Sequence, residues 1–139
     1  MDEAKITFDH MHLISKDPAA AARWYADIFG GAIVEETEMR GAPHIVVDIS
    51  GVRMLIRGRR SGENPGDVKP FKHAESFMGH EQWGADHFGF KVAGDFAEYC
   101  TMIKTKGVTF LVDPMALASG KRIAFIQGYD GESIELVEG

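Results

Sequence analysis

The sequence predicts an α+β fold made of two tandem βαβββ modules, and three observations carry that prediction. An apolar stretch bearing histidine, Phe8 to Ser15 (FDHMHLIS), returns as Ala85 to Val92 (ADHFGFKV), with Asp9-His10 repeated as Asp86-His87, 77 residues on. Each copy leads into an amphipathic helical stretch closed by glycine, and each helix is followed by three short extended runs. A pattern repeated at this scale is one supersecondary unit used twice.

The elements follow in order. In an extended chain successive side chains point to opposite faces, so His10 and His12 share one side of the first strand while Met11 and Leu13 share the other. Asp17-Pro18 supplies an N-cap and a first helical position, and Gly30-Gly31 ends the helix. Trp24, Tyr25, Ile28 and Phe29 recur at helical spacing and read as its core stripe. Strands are expected at Ala32 to Met39, His44 to Ile49 and Arg53 to Arg57, separated by the turn signals Arg40-Gly41 and Ser50-Gly51.

The second module repeats the plan. His87, Gly89 and Lys91 share one side of its first strand, with Phe88, Phe90 and Val92 on the apolar side. Asp95 caps a helix whose Phe96, Tyr99, Cys100 and Ile103 fall on one face, and Gly107 ends it. Strands are expected at Thr109 to Val112, Lys121 to Gln127 and Glu132 to Glu138, with Asp130-Gly131 as a hairpin turn. The whole is a single domain, 1–139, with modules at 5–57 and 85–138. The stretch 58–84 is rich in Gly, Pro and charge and reads as a linker or lid, because Phe71, Phe77, Met78 and Trp83 give it more apolar weight than a passive spacer needs. Its His73 and His80 read as solvated loop histidines.

Composition narrows the function. With 45% hydrophobic and 26% charged residues the chain can bury a core, and a net charge of −6 argues against nucleic acid or an anionic membrane as partner. A small molecule is the expected ligand. No apolar run reaches membrane-spanning length, the start MDEAKITFDH lacks a secretory pattern, and the expected location is the cytoplasm. The single Cys100 fits a reducing compartment and reads as core packing.

The chemistry sits on strand parity. Glu135 shares a face with Ser133 and Val137, away from Ile134 and Leu136, as His10 and His87 point away from their own apolar backing. Taken singly, a strand histidine is usually a hydrogen-bonded structural residue and a strand glutamate is usually solvated. Two histidines at matched positions of duplicated halves, joined by a carboxylate of matching parity, instead compose the ligand set of a facial triad for one divalent metal. His12 should line the same surface as a base, a substrate hydrogen-bonder or an orienting group, and its counterpart is Gly89. His44 and Asp48 share a face of the third strand that parity leaves unassigned. Glu35, Glu36 and Glu38 read as a solvated charge run, and Tyr129 as a loop residue. Lys121, Arg122, Arg57, Arg59 and Arg60 suit either an anionic group or a salt-bridged surface.

The stretches DHMHLISKDPAAAARWYADIFGG, WGADHFGFKV and GKRIAFIQGYDGESIELVE resemble the vicinal oxygen chelate superfamily, the glyoxalase, bleomycin resistance protein and extradiol dioxygenase family. That resemblance implies paired βαβββ modules whose mixed sheets form a barrel-like cup around a metal, Fe, Zn, Ni, Mn or Co. It places the metal ligands on His10, His87 and Glu135, the residues that parity selects. A fourth ligand, Glu or Gln in glyoxalases and the epimerase, falls on Met54, a poor ligand for a hard ion. Single-pair length resembles the glyoxalases and epimerases, which implies chelation of vicinal oxygens and proton transfer through an enediolate by a lyase or isomerase. The ligand set resembles the Fe(II) extradiol dioxygenases, and the third branch is a metal-free, ligand-sequestering binding protein. Family members commonly form homodimers, and one is expected here.

Overall fold

The computed structural model describes residues 3–72 and 79–139, so His73, Phe77 and Met78 lie outside the described residues. It contains two four-stranded sheets and two helices in two compact units, residues 1–65 and 66–139.

The first unit runs β1 (His10–Ile14), α1 (Pro18–Phe29), β2 (Ala32–Met39), β3 (Ala42–Ile49) and β4 (Val52–Arg57). Its sheet has the order β1-β4-β3-β2, with β1 parallel to β4 and the remaining pairs antiparallel. Helix α1 starts where the Asp17 side chain accepts the Ala20 N–H at 3.1 Å. It stops where Gly30 turns left-handed at φ 67°, a conformation that glycine adopts without a Cβ clash. The helix buries Ala21, Ala22, Tyr25 and Ile28 together with Ile45, Val47, Ile49, Met54 and Ile56, alternate residues from one face of the sheet. Just past the helix, Gly31 comes so close to that face that a Cβ would lie 2.8 Å from the Asp48 carbonyl oxygen. The opposite face carries His10 and His12 on β1, Arg53, Leu55 and Arg57 on β4, and His44, Val46 and Asp48 on β3, all matched by the pairing register.

The second unit runs β5 (Phe88–Val92), α2 (Phe96–Thr105), β6 (Phe110–Ala116), β7 (Arg122–Gln127) and β8 (Ser133–Glu138), in the sheet order β5-β8-β7-β6. Asp95 caps α2 by accepting the Glu98 N–H at 2.9 Å. Phe96, Cys100 and Ile103 are buried with Ala124, Ile126, Ile134 and Leu136. Arg122, on the same face as Ala124, lies with its guanidinium 5.4 Å from the Phe96 ring centroid. Burial pushes the Cys100 thiol pKa up, as its expected packing role requires.

Strand β6 is longer than the expected Thr109 to Val112, running to Ala116 through Pro114. Proline is compatible here because β6 is an edge strand whose pairing with β7 shifts register on both sides of Val112. The expected strand at Ala85 to Val92 starts only at Phe88, which leaves His87 just outside β5.

Candidate metal and substrate site

In the second unit, residues Ser133, Glu135 and Val137 of β8 share a face with Ile123 and Phe125 of β7, away from the buried Ile134 and Leu136. His87 reaches this face. Its Nε2 lies 3.1 Å from Glu135 Oε2, and its ring centroid lies 4.9 Å from that of Phe125. The Nδ1 of the same ring lies 2.7 Å from Asp86 Oδ2. The first unit repeats the last of these contacts, with His10 Nδ1 2.6 Å from Asp9 Oδ2. Each imidazole therefore rests one nitrogen on the preceding carboxylate; with Nδ1–H donated to the aspartate, Nε2 would be the nitrogen offered to a metal.

The two aspartates are candidate site residues that the reading of the sequence passed over. Their recurrence was visible as the Asp-His repeat, but their role became apparent only with the ring orientation. The His10 contact is the largest influence lowering the Asp9 carboxyl pKa; for Asp86 it is the backbone N–H of His80, at 2.9 Å, followed by His87. A Cβ at Gly79 would lie 2.2 Å from Asp86 Oδ1, so a larger residue there would displace this carboxylate.

The structure brings His87 and Glu135 together in one unit and places His10 and His12 on one face of the other. Among the described residues, no group of three or more His, Cys, Asp and Glu side chains gathers as a metal site. The asymmetry between His12 and Gly89 has a steric reason. A Cβ at Gly89 would stand 3.1 Å from the Glu135 carbonyl oxygen and 3.2 Å from its Cβ, tighter than most such contacts.

Met54 is a correction. It is 1% exposed on the face of β4 that buries against α1, opposite His10 and His12. The β4 residues on the histidine face are Arg53, Leu55 and Arg57, so the register that the resemblance suggested is off by one and β4 offers no carboxylate or amide to that face. His44 and Asp48, which parity had left unassigned, lie on the His10 and His12 face. The His12 and His44 ring centroids are 5.9 Å apart, and those of His10 and His12 6.0 Å apart. Burial, followed by the charges of Arg57, His44, His10 and Arg60, lowers the His12 pKa and keeps its ring neutral at neutral pH.

His80 is a second correction. Expected as a solvated loop residue, it is 5% exposed, with Nε2 2.7 Å from Ser133 Oγ and Nδ1 against the Lys69 carbonyl oxygen. Its ring packs edge-on to Phe71, which itself lies 5.3 Å from the Phe125 ring centroid. Phe71 and His80 thus lie over the Phe125 face of the second sheet, with His80 hydrogen-bonded to β8 at Ser133. Lys72 N–H reaches the Gly79 carbonyl oxygen across the segment at 3.1 Å.

The arginines divide. Arg122 pairs with Glu138 through Nε at 2.9 Å and Nη2 at 2.5 Å. The buried Arg57 donates Nη1 and Nη2 to the two Glu63 carboxylate oxygens at 2.7 and 2.9 Å. These bonds, with one from the Arg60 N–H, pull the Glu63 pKa down to about 2. The stabilisation from Glu63 is therefore complete above its ordinary value of 4.5 and is lost as pH falls through about 2. Chemical denaturation of wild type and Glu63→Gln should give stabilities that differ at pH 6 and converge as pH drops from about 4.5 to about 2. A gap that stays constant over that range would contradict the assignment. Of the expected solvated residues, Glu35, Glu36, Glu38 and Tyr129 are all exposed. Glu35 approaches Arg53 only at 3.9 Å.

The profile of the Glyoxalase/Bleomycin resistance protein/Dioxygenase superfamily matches residues 7–136, and the chain belongs to that family. No curated protein matches it. Among solved structures, a glyoxylase/bleomycin resistance protein/dioxygenase domain from Frankia sp. EAN1pec has a TM-score of 0.75 at 17% identity, covering 98% of this chain and 93% of that one. The genomically encoded fosfomycin resistance protein FosX from Listeria monocytogenes has a TM-score of 0.70 at 18% identity, covering 98% and 95%. A second crystal structure of FosX, complexed with Mn(II) and sulfate, has a TM-score of 0.66 at 17% identity, covering 98% and 94%. At these identities the likeness establishes the fold, with its two four-stranded sheets and two helices. No helix of the described residues is long and apolar enough to cross a membrane.

Proposed function

We infer that the chain is a divalent-metal-dependent enzyme that binds a small substrate through two adjacent oxygens and moves a proton next to a carbonyl, as a glyoxalase-like lyase, epimerase or isomerase. The observation that carries this reading is the repeated orientation of His10 and His87 by Asp9 and Asp86, with His87 Nε2 already 3.1 Å from a Glu135 carboxylate oxygen. Two imidazoles and one carboxylate suit Fe(II), Zn(II), Ni(II), Mn(II) or Co(II). His10, His87 and Glu135 would hold the ion, which supplies Lewis-acid polarisation of the substrate oxygens when bound.

The rest of the work falls to the chain. His12, two positions from His10 on the same face, takes the proton on an imidazole nitrogen and returns it to a neighbouring atom. Phe71 and Phe125 supply an apolar wall beside Glu135 and His87 that keeps water from the reacting carbon. The reading includes a homodimer in the cytoplasm. Exposed Ile6, Phe8 and Trp83 support the dimer, and a reduced, buried Cys100 suits that compartment.

The test is elemental analysis of untagged protein purified without oxygen. About one divalent ion per chain is expected. Asp86→Asn should weaken its binding by about 10–100-fold, because the amide keeps its shape and its acceptor for the His80 N–H but no longer carries the charge that enriches the His87 ring. Iron as the resident ion would favour an extradiol-type dioxygenase over proton transfer. Metal-free protein that still binds a small ligand would overturn the enzyme reading in favour of a sequestering protein.

A further inference from the structure

The histidine face of the first sheet holds polar hydrogen-bonding capacity that the proposed metal chemistry does not use. His44 is 6% exposed, and its Nδ1 has no hydrogen-bond partner. The Nε of Arg60 is likewise buried without a partner among the described residues. An unpaired buried donor costs free energy unless something binds it. Two orphans in one neighbourhood point to a ligand.

The neighbourhood is connected through Arg57. Arg57 pairs with His44 across the β3–β4 ladder, and its guanidinium is occupied by Glu63, whose Oε1 also accepts the Arg60 N–H at 2.7 Å. The His12 ring centroid lies 5.9 Å from that of His44, and Arg57 and Arg60 both act on His12 electrostatically. The carboxylates on or beside this face are engaged elsewhere. Glu63 is held by Arg57, Asp9 by His10, Asp48 Oδ1 by the Gly51 N–H at 3.1 Å, and Glu35 lies toward Arg53. At Arg57 itself, two arginines share the single Glu63 carboxylate.

We propose that His44, Arg60 and His12 form an oxyanion subsite on the first sheet, so that the substrate carries a carboxylate, phosphate or phosphonate in addition to its vicinal oxygens. An oxyanion would accept Arg60 Nε–H and, in the tautomer that carries the proton on Nδ1, His44 Nδ1–H, and so satisfy both orphaned nitrogens with bonds assisted by its own charge. The vicinal-oxygen part of this statement rests on the enzyme reading above; the subsite itself does not.

The experiment separates them. Protein stripped with EDTA is titrated with inorganic phosphate and, separately, with acetate, and the imidazole resonances of His44 are followed by NMR. Saturable movement of the His44 signals with phosphate, acetate or both is expected, and the tighter probe names the oxyanion. Arg60→Gln and His44→Gln should each weaken that binding by about tenfold or more, because a charged or buried hydrogen bond is lost. Saturable binding in the wild type that moves His44 suffices even where a variant fails to fold. No saturable shift with either probe, or unchanged affinity in both folded variants, would overturn the subsite. Since no metal is present, the outcome is independent of whether His10, His87 and Glu135 bind one.

Discussion

Glu135→Gln and His87→Ala each lower the affinity for the divalent ion by more than about 100-fold, while Glu36→Gln on the exposed β2 leaves it unchanged. The lower bound comes from the 10–100-fold that loss of an outer partner such as Asp86 costs, which removal of a direct ligand must exceed. A structural alternative makes the opposite prediction. If the 3.1 Å His87–Glu135 contact served only as an ion pair, its loss would appear in the metal-free protein and amount to about 0–1 kcal/mol, as partly exposed pairs do. Isothermal titration with Mn(II) or Zn(II), run beside urea denaturation of the metal-free protein, reads both quantities on the same samples. Full metal affinity in Glu135→Gln would remove the residue from the site.

The outcome of that experiment bears on how much of the site strand alternation could reveal. Parity alone placed Glu135 opposite Leu136, and it placed His10 and His12 on one face of β1, because a two-residue period is a property of the extended backbone. Met54 came instead from the register of the family resemblance, which already made it a poor ligand, and the structure places it on the buried face of β4. One residue of slip moves a side chain through the sheet, and only the pairing of His10 with Arg53 and His12 with Leu55 determines the count. His44 was undecidable for a related reason. Both faces of β3 are rich in buried residues, Ile45, Val47 and Ile49 on one and His44 and Val46 on the other, so alternation of hydrophobic and polar residues is weak there.

His80 shows a different limit. Its partners, Lys69 and Ser133, are 11 and 53 residues away, and nothing local in GHEQW distinguishes a buried histidine from a solvated one. The Gly-, Pro- and charge-rich composition of the segment correctly indicated the absence of helix and strand among its described residues, but composition carries no information about what an irregular segment packs against. The duplicated Asp-His pair lies between these cases. The repeat was legible, whereas the role of each aspartate depends on a χ angle that no pattern encodes.

Leu136→Ala should destabilise the protein by about 2–5 kcal/mol. Leu136 is fully buried, registered between Phe90 on β5 and Ala124 on β7, on the face shared with the buried residues of α2. Truncation removes its transfer free energy and leaves a cavity as well, because Ala124 is too short to collapse into the gap and Ile134 is held by its own strand. The neighbouring Val137→Ala provides the control. Val137 lies on the Glu135 face and is only partly buried, so its loss should cost about 1 kcal/mol, near the centre of ordinary substitutions. Urea denaturation of the two variants checks the difference, with a lower midpoint and unchanged slope marking a loss of packing rather than a change in compactness. Equal effects from the two substitutions would mean that the faces of β8 are not divided into a packed side and a ligand side, and the parity on which Glu135 was chosen would fail with them.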